Sequence, residues 1–84
     1  MNQRLGVIGI VIEDTAKAPE INSILGKYGD IIIGRMGVPR ILHNEKGVSV
    51  ISLIVHGTNE EVGGLTGKLG NLKGVQVKAA LTSK

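Results

Sequence analysis

Val48-Ser49-Val50-Ile51-Ser52-Leu53-Ile54-Val55-His56 is rich in β-branched residues, a composition that favours a strand over a helix. Side chains alternate across a strand, so one face carries Ser49, Ile51, Leu53 and Val55 and the other Val48, Val50, Ser52 and Ile54. Both faces are mostly apolar, which places this strand in the middle of a sheet covered on both sides. Each face therefore needs a cover, and the rest of the chain is read for what supplies it.

Upstream, Asn44-Glu45-Lys46-Gly47 reads as a hairpin turn with Gly47 in the left-handed position. Ile31 to Val38 is the strand that leads into it. Pro39 breaks that strand or marks it as an edge, and Arg40 to His43 resumes the extended run. Arg4 to Ile12 is the first strand, again apolar on both faces: Leu5, Val7 and Val11 against Ile8, Ile10 and Ile12. Between these strands, Ile21, Ile24, Leu25 and Tyr28 form one stripe of an amphipathic helix. Asp14 or Thr15 is its N-cap, Pro19 sits in its first turn, and Gly29 suits a left-handed C-cap.

Downstream, Thr58 followed by Glu61 is a capping box. Val62, Leu65, Leu69 and Leu72 mark a second helix, and Val75 to Thr82 alternates as a last strand with Val75, Val77, Ala79 and Leu81 inward. The order is βαββαβ. With right-handed crossovers it gives an α+β, ferredoxin-like sandwich: one domain over residues 1–84, an antiparallel four-stranded sheet in the order 4-1-3-2, and two helices on one face. The first and third strands are central in that order, and they are the two that are apolar on both sides. The second face is left bare, so a homo-oligomer is expected, either a dimer or a tetramer built from dimers.

At 84 residues and 8.8 kDa the chain suffices for one domain. A domain of that size buries only about 60–65% of the surface its unfolded chain exposes, which again favours self-association. The core must come from Ile, Leu and Val, because Phe and Trp are absent and Tyr28 is the single aromatic residue. Cysteine is absent too, which excludes disulfides and thiolate metal sites and points to a cytoplasmic protein. No run is apolar enough to span a membrane, and the first residues lack the blocks of a signal peptide. The net charge of +3 permits an anionic partner without demanding one.

Several motifs suggest chemistry and fail on inspection. Gly63 to Gly70 resembles a phosphate loop, but its spacing is one residue short and Leu69 stands where Ser or Thr is required. It also lies within a helix, so these glycines read as packing residues. His43 and His56 have no partner at metal-ligand spacing and read as loop histidines. Glu13 and Asp14 are adjacent and diverge, and Glu60 and Glu61 are explained by capping, so no acid–base pair emerges and an enzyme is not expected. An RRM-type RNA binder stacks bases on strand aromatics, and a copper chaperone of this topology needs paired cysteines; this chain has neither.

Arg35-Met-Gly-Val-Pro39 and Thr66-Gly-Lys-Leu-Gly-Asn-Leu-Lys-Gly-Val-Gln-Val-Lys78, with Val11-Ile-Glu-Asp14, resemble signature stretches of the iron-only hydrogenase system regulators. The resemblance spans essentially the whole chain. That family is similar to ACT domains and to the C-terminal ligand-sensing domain of the nickel-responsive regulator. The resemblance implies a small oligomeric regulatory protein associated with a hydrogenase system, concerned with transcription and sensing a small molecule of unknown identity. By the same resemblance, a ligand would sit near the loop after the first strand, at Glu13, Asp14 and Thr15, with Arg35. The cysteine and clustered histidines of the nickel regulator are missing, so no metal or cofactor is expected. The alternative is a direct nucleic-acid binder using Lys17, Arg35, Arg40, Lys68, Lys73 and Lys78, which requires those side chains to gather on one exposed stripe. No DNA-reading element is evident, so nucleic acid is expected only through a partner protein.

Overall fold

The structure is a computed structural model that describes residues 2–82. Four strands, β1 (Arg4–Ile12), β2 (Ile32–His43), β3 (Lys46–Gly57) and β4 (Val75–Leu81), form one antiparallel sheet in the order β2-β3-β1-β4. Helix α1 (Ala18–Lys27) follows β1 after a short 3₁₀ turn at Thr15–Lys17, and helix α2 (Asn59–Gly70) links β3 to β4. This is the ferredoxin-like arrangement expected from the patterning.

The central pair explains itself residue by residue. Ile8, Ile10 and Ile12 of β1 are buried beside Ile51, Leu53 and Val55 of β3, and Val75 joins them from β4. The helices close this layer with Ile21 and Leu25 from α1 and Val62, Leu65 and Leu69 from α2. Each such side chain, fully buried, contributes about 1.5–3 kcal/mol. Ile24, Tyr28 and Leu72, also on the expected helical stripes, pack against its margin. Thr58 and Glu61 form the capping box anticipated from their spacing: Glu61 N–H donates to Thr58 Oγ1 at 3.1 Å, and Thr58 N–H donates to Glu61 Oε1 at 2.8 Å.

The opposite face stays open. Register pairs Val7 with Ile54, Val11 with Val50, Val38 with Val50, and Met36 with Ser52, which puts all of them on the side away from the helices. Leu5 is 49% exposed and Met36 68% exposed there, and Val7 and Ile54 are comparably bare. Total accessible area is 5586 Å². A compact monomer of this mass is expected to show about 4,800 Å². The open sheet face and the projecting hairpin add to the surplus.

Three local details differ from the expectations above. The hairpin turn is the two-residue pair Asn44 (φ 51°) and Glu45 (φ 65°), between the paired His43 and Lys46, while Gly47 is ordinary strand. A type I′ loop, whose twist matches that of the strands, has both central residues left-handed, and these two positions provide it. Helix α1 ends at Tyr28 without a left-handed Gly29, because Gly29 N–H bonds to Gly26 O and Ile31 N–H to Tyr28 O in tight successive turns. Among the helix glycines, only Gly64 has a close packing neighbour: a Cβ there would lie 2.8 Å from the Tyr28 hydroxyl, whereas one at Gly63, Gly67 or Gly70 would meet nothing. Nothing in the structure explains those three.

Pro39 leaves β2 intact. It lies on the edge strand inside a register shift between Val38 and Ile41, where a missing N–H is tolerated. Because β1 pairs with β3 only as far as Ser49, the hairpin beyond it extends past the rest of the sheet, and the molecule measures 44 × 20 × 18 Å.

A left-handed Glu costs about 1–2 kcal/mol, whereas Asn-Gly is a preferred sequence for this turn. Glu45→Gly is therefore expected to raise unfolding stability by about 1 kcal/mol, read as a higher urea midpoint at unchanged slope. A fall in the midpoint would contradict the turn assignment.

Candidate functional site

The four residues singled out for ligand contact occupy different surroundings. Glu13 and Asp14 follow β1 and are tied to the start of β4: both backbone N–H groups donate to Gly74 O, at 2.7 and 3.3 Å. Gly74 has φ +77°, and a Cβ there would lie 2.7 Å from that of Asp14, so this junction needs glycine. Glu13 Oε1 accepts from Gln76 Nε2 at 3.4 Å. Asp14 Oδ1 accepts from Ala16 N–H at 3.1 Å and so caps the 3₁₀ turn, which begins at the exposed Thr15. Arg35 lies on β2 opposite Leu53, hence on the helix side, and its Nη2 donates to Asn22 Oδ1 of α1 at 2.9 Å.

Arg35 and Asn22 line a cleft of about 320 Å³ between α1 and the base of the β2–β3 hairpin. Ala18 and Ile21 form its helical wall, and Ile12, Gly37 and Ile51 the sheet wall. Pro39 and Ser49 contribute from the hairpin, where Ser49 Oγ donates to Pro39 O at 2.5 Å. Glu13, Asp14 and Thr15 do not line it. The volume lies at the lower end of the range for small-molecule pockets, about 300–1,000 Å³. Sequence reasoning named Arg35 but missed Asn22, Gly37 and Ser49. Asn22 and Arg35 are far apart in sequence and converge only when α1 crosses β2, and no local spacing announces that meeting.

The remaining polar groups do not converge. Among the described residues no group of three His, Cys, Asp or Glu is placed to hold a metal. His43 lies beside the hairpin turn, 3.4 Å from the Asn44 amide, while His56 lies at the far end of β3. Lys17 pairs with Glu20 at 4.0 Å, and Lys68 lies 5.3 Å from the centroid of the Tyr28 ring. Arg40 is on the hairpin, Lys73 follows α2, and Lys78 pairs across from Gly9 on the open face. These cations are divided between the two faces and do not form one stripe.

Topology and helix placement together define an ACT- and PII-like ferredoxin fold. Two solved structures share it: the ACT domain of the GTP pyrophosphokinase of Chlorobium tepidum (TM-score 0.57, 21% identity, 100% of this chain and 91% of that one), and CPII of Thiomonas intermedia (TM-score 0.55, 18% identity, 99% and 100%). The latter is a nitrogen regulatory PII-like protein bound to ADP, AMP and bicarbonate. Residues 4–79 match the TM1266-like family, described as iron-only hydrogenase system regulators, and the chain belongs to it. The uncharacterised protein TM1266 of Thermotoga maritima is similar at 32% identity over 98% of this chain and all of that one, with a TM-score of 0.84. No curated protein sequence matches the chain.

Asp14→Ala tests whether this residue does more than cap. A cap of this kind is worth about 0.5–2 kcal/mol. Urea unfolding is expected to show a loss within that range, with the association state unchanged. Full stability in the variant would contradict the capping role.

Proposed function

We propose that this protein is a self-associating, ligand-sensing regulatory module of an iron-only hydrogenase system, cytoplasmic and without catalytic activity. The observation that carries the reading is the bare apolar sheet face. Leu5, Val7, Val50, Ile54, Met36 and Val38 lie side by side on it, with Gln76 and Lys78 on the β4 edge. An apolar centre with a polar margin is the anatomy of an interface, and a two-fold axis lets one such patch cover its own copy. A shallow hollow between Leu5, Val7, Ile54 and Ala80 gives protruding side chains of a second copy somewhere to enter.

Ligand sensing is supported by the cleft and by the fold shared with the nitrogen regulatory PII-like protein bound to ADP, AMP and bicarbonate. Both helices are committed to covering the sheet, so neither is available for a DNA groove, and control of transcription would pass through a partner protein. The scattered cations weigh against direct nucleic-acid binding. None of the described helices is long and apolar enough to cross a membrane.

Paired charge substitutions test the assembly. Ile51 is buried beneath the helices and Ile54 is exposed on the open face. Ile51→Glu is expected to abolish the cooperative unfolding transition in circular dichroism. Ile54→Glu should retain it but sediment as a monomer, while the wild type sediments as a dimer or larger at micromolar concentration. A monomeric wild type, or an assembled Ile54→Glu variant, would overturn the proposal.

A further inference from the structure

We infer that the cleft between α1 and the hairpin binds a small apolar monocarboxylate lacking an ammonium group. The inference rests on the ligand-sensing part of the function proposed above and names its chemistry. Three features of the cleft carry it. First, its walls are aliphatic, with Ile12, Ala18, Ile21 and Ile51 around the glycine floor at Gly37, so the bulk of an occupant must be apolar. Second, among the described residues it contains one cation, Arg35, whose guanidinium is held by Asn22 Oδ1. A guanidinium has five N–H donors, so one bond to Asn22 leaves enough for a bidentate carboxylate, and the anchoring lowers the entropy lost on binding. The donor half of the Asn22 amide lies beside it. Third, no carboxylate of the described residues lines the cleft.

Charge balance weighs against the obvious alternatives. A zwitterionic amino acid would bring an ammonium group into a wall with no Asp or Glu. The oxygens nearby, Asn22 Oδ1 bonded to Arg35 and Pro39 O bonded to Ser49, keep a lone pair each but carry no charge to balance an ammonium. Partial desolvation of an ammonium with no counter-charge offsets part of what the carboxylate contact contributes. A nucleoside diphosphate carries several negative charges, and a single guanidinium does not balance them. A monoanion with a branched aliphatic tail meets both the charge and the lining.

The probes are 3-methylbutanoate, valine (the same skeleton with an ammonium group), the uncharged 3-methylbutanamide, and ADP. Binding is followed by ¹⁵N-resolved NMR on the full-length protein, with concentrations reaching about 10 mM, a range that detects even millimolar affinities. The expected result is saturable shifts at Asn22, Arg35 and Gly37 with 3-methylbutanoate, and at least tenfold weaker binding of the other three. Two variants localise the site. Arg35→Leu removes the charge. Gly37→Val fills the cleft from its floor, where a Cβ has room (the nearest atom, Ile51 Cγ1, is 3.9 Å away) and a strand accepts a β-branched residue. Each should weaken 3-methylbutanoate binding at least tenfold while leaving a dispersed, folded spectrum.

Valine or ADP binding as tightly as 3-methylbutanoate would overturn the inference, as would binding that both variants leave unchanged, or no shift with any probe. Sedimentation of the same samples separates the two proposals. An assembled protein that binds no probe defeats the ligand class alone, whereas a monomeric protein that binds 3-methylbutanoate at the cleft defeats the assembly alone.

Discussion

The pairing of β1 with β3 is the interaction on which the structure depends. Its register sets Ile8 opposite Leu53 and Ile10 opposite Ile51, so one face of the pair becomes the floor of the core. The same register sets Val7 opposite Ile54 and Val11 opposite Val50 on the reverse. A slip by one residue would exchange the two faces. With two helices available and both needed over one side, an apolar reverse face follows as a geometric consequence. The small size of the domain and the absence of Phe and Trp leave little to offset that exposure within one chain.

The cleft arises from a second constraint, the unequal length of the strands. β2 and β3 run for twelve residues each, whereas β1 has nine, and the hairpin therefore projects beyond the last β1–β3 pair at Ile12 and Ser49. Helix α1 begins near that point, after the Asp14-capped turn, and cannot cover the overhang. The space left between them is where Arg35 reaches Asn22. At the tip, Leu42 is 78% exposed, so the overhang itself carries apolar surface that the helices do not reach.

Much of this was legible in the sequence because it depends on short periods. Alternation separated the two faces of β1 and β3 without saying which of them meets the helices, the i, i+3, i+4 spacing found Ile21, Leu25, Val62, Leu65 and Leu69, and Thr58 with Glu61 announced the start of α2. The family was also visible, from Arg35–Pro39 and Thr66–Lys78. What sequence reading missed depends on tertiary geometry. A glycine beside a turn suggested Gly47 as its left-handed residue, but strand twist placed that conformation at Asn44 and Glu45. The positive φ of Gly74 serves a junction with Glu13 and Asp14, far away in the chain, which no local pattern announces. Arg35 was named as a ligand contact through resemblance alone, and its partner Asn22 could be found only once α1 was laid across the sheet.

The central claim is that a second copy of this chain covers the open face. Isotope-filtered NOE spectroscopy on a mixture of ¹³C-labelled and unlabelled protein tests it most directly, because it detects only methyl contacts between different protomers. The account predicts intermolecular NOEs from the methyl groups of Leu5, Val7, Val50 and Ile54, and none from Ile21 or Leu65 in the core. Intermolecular NOEs absent from the open face, or confined to Leu42 at the hairpin tip, would contradict it.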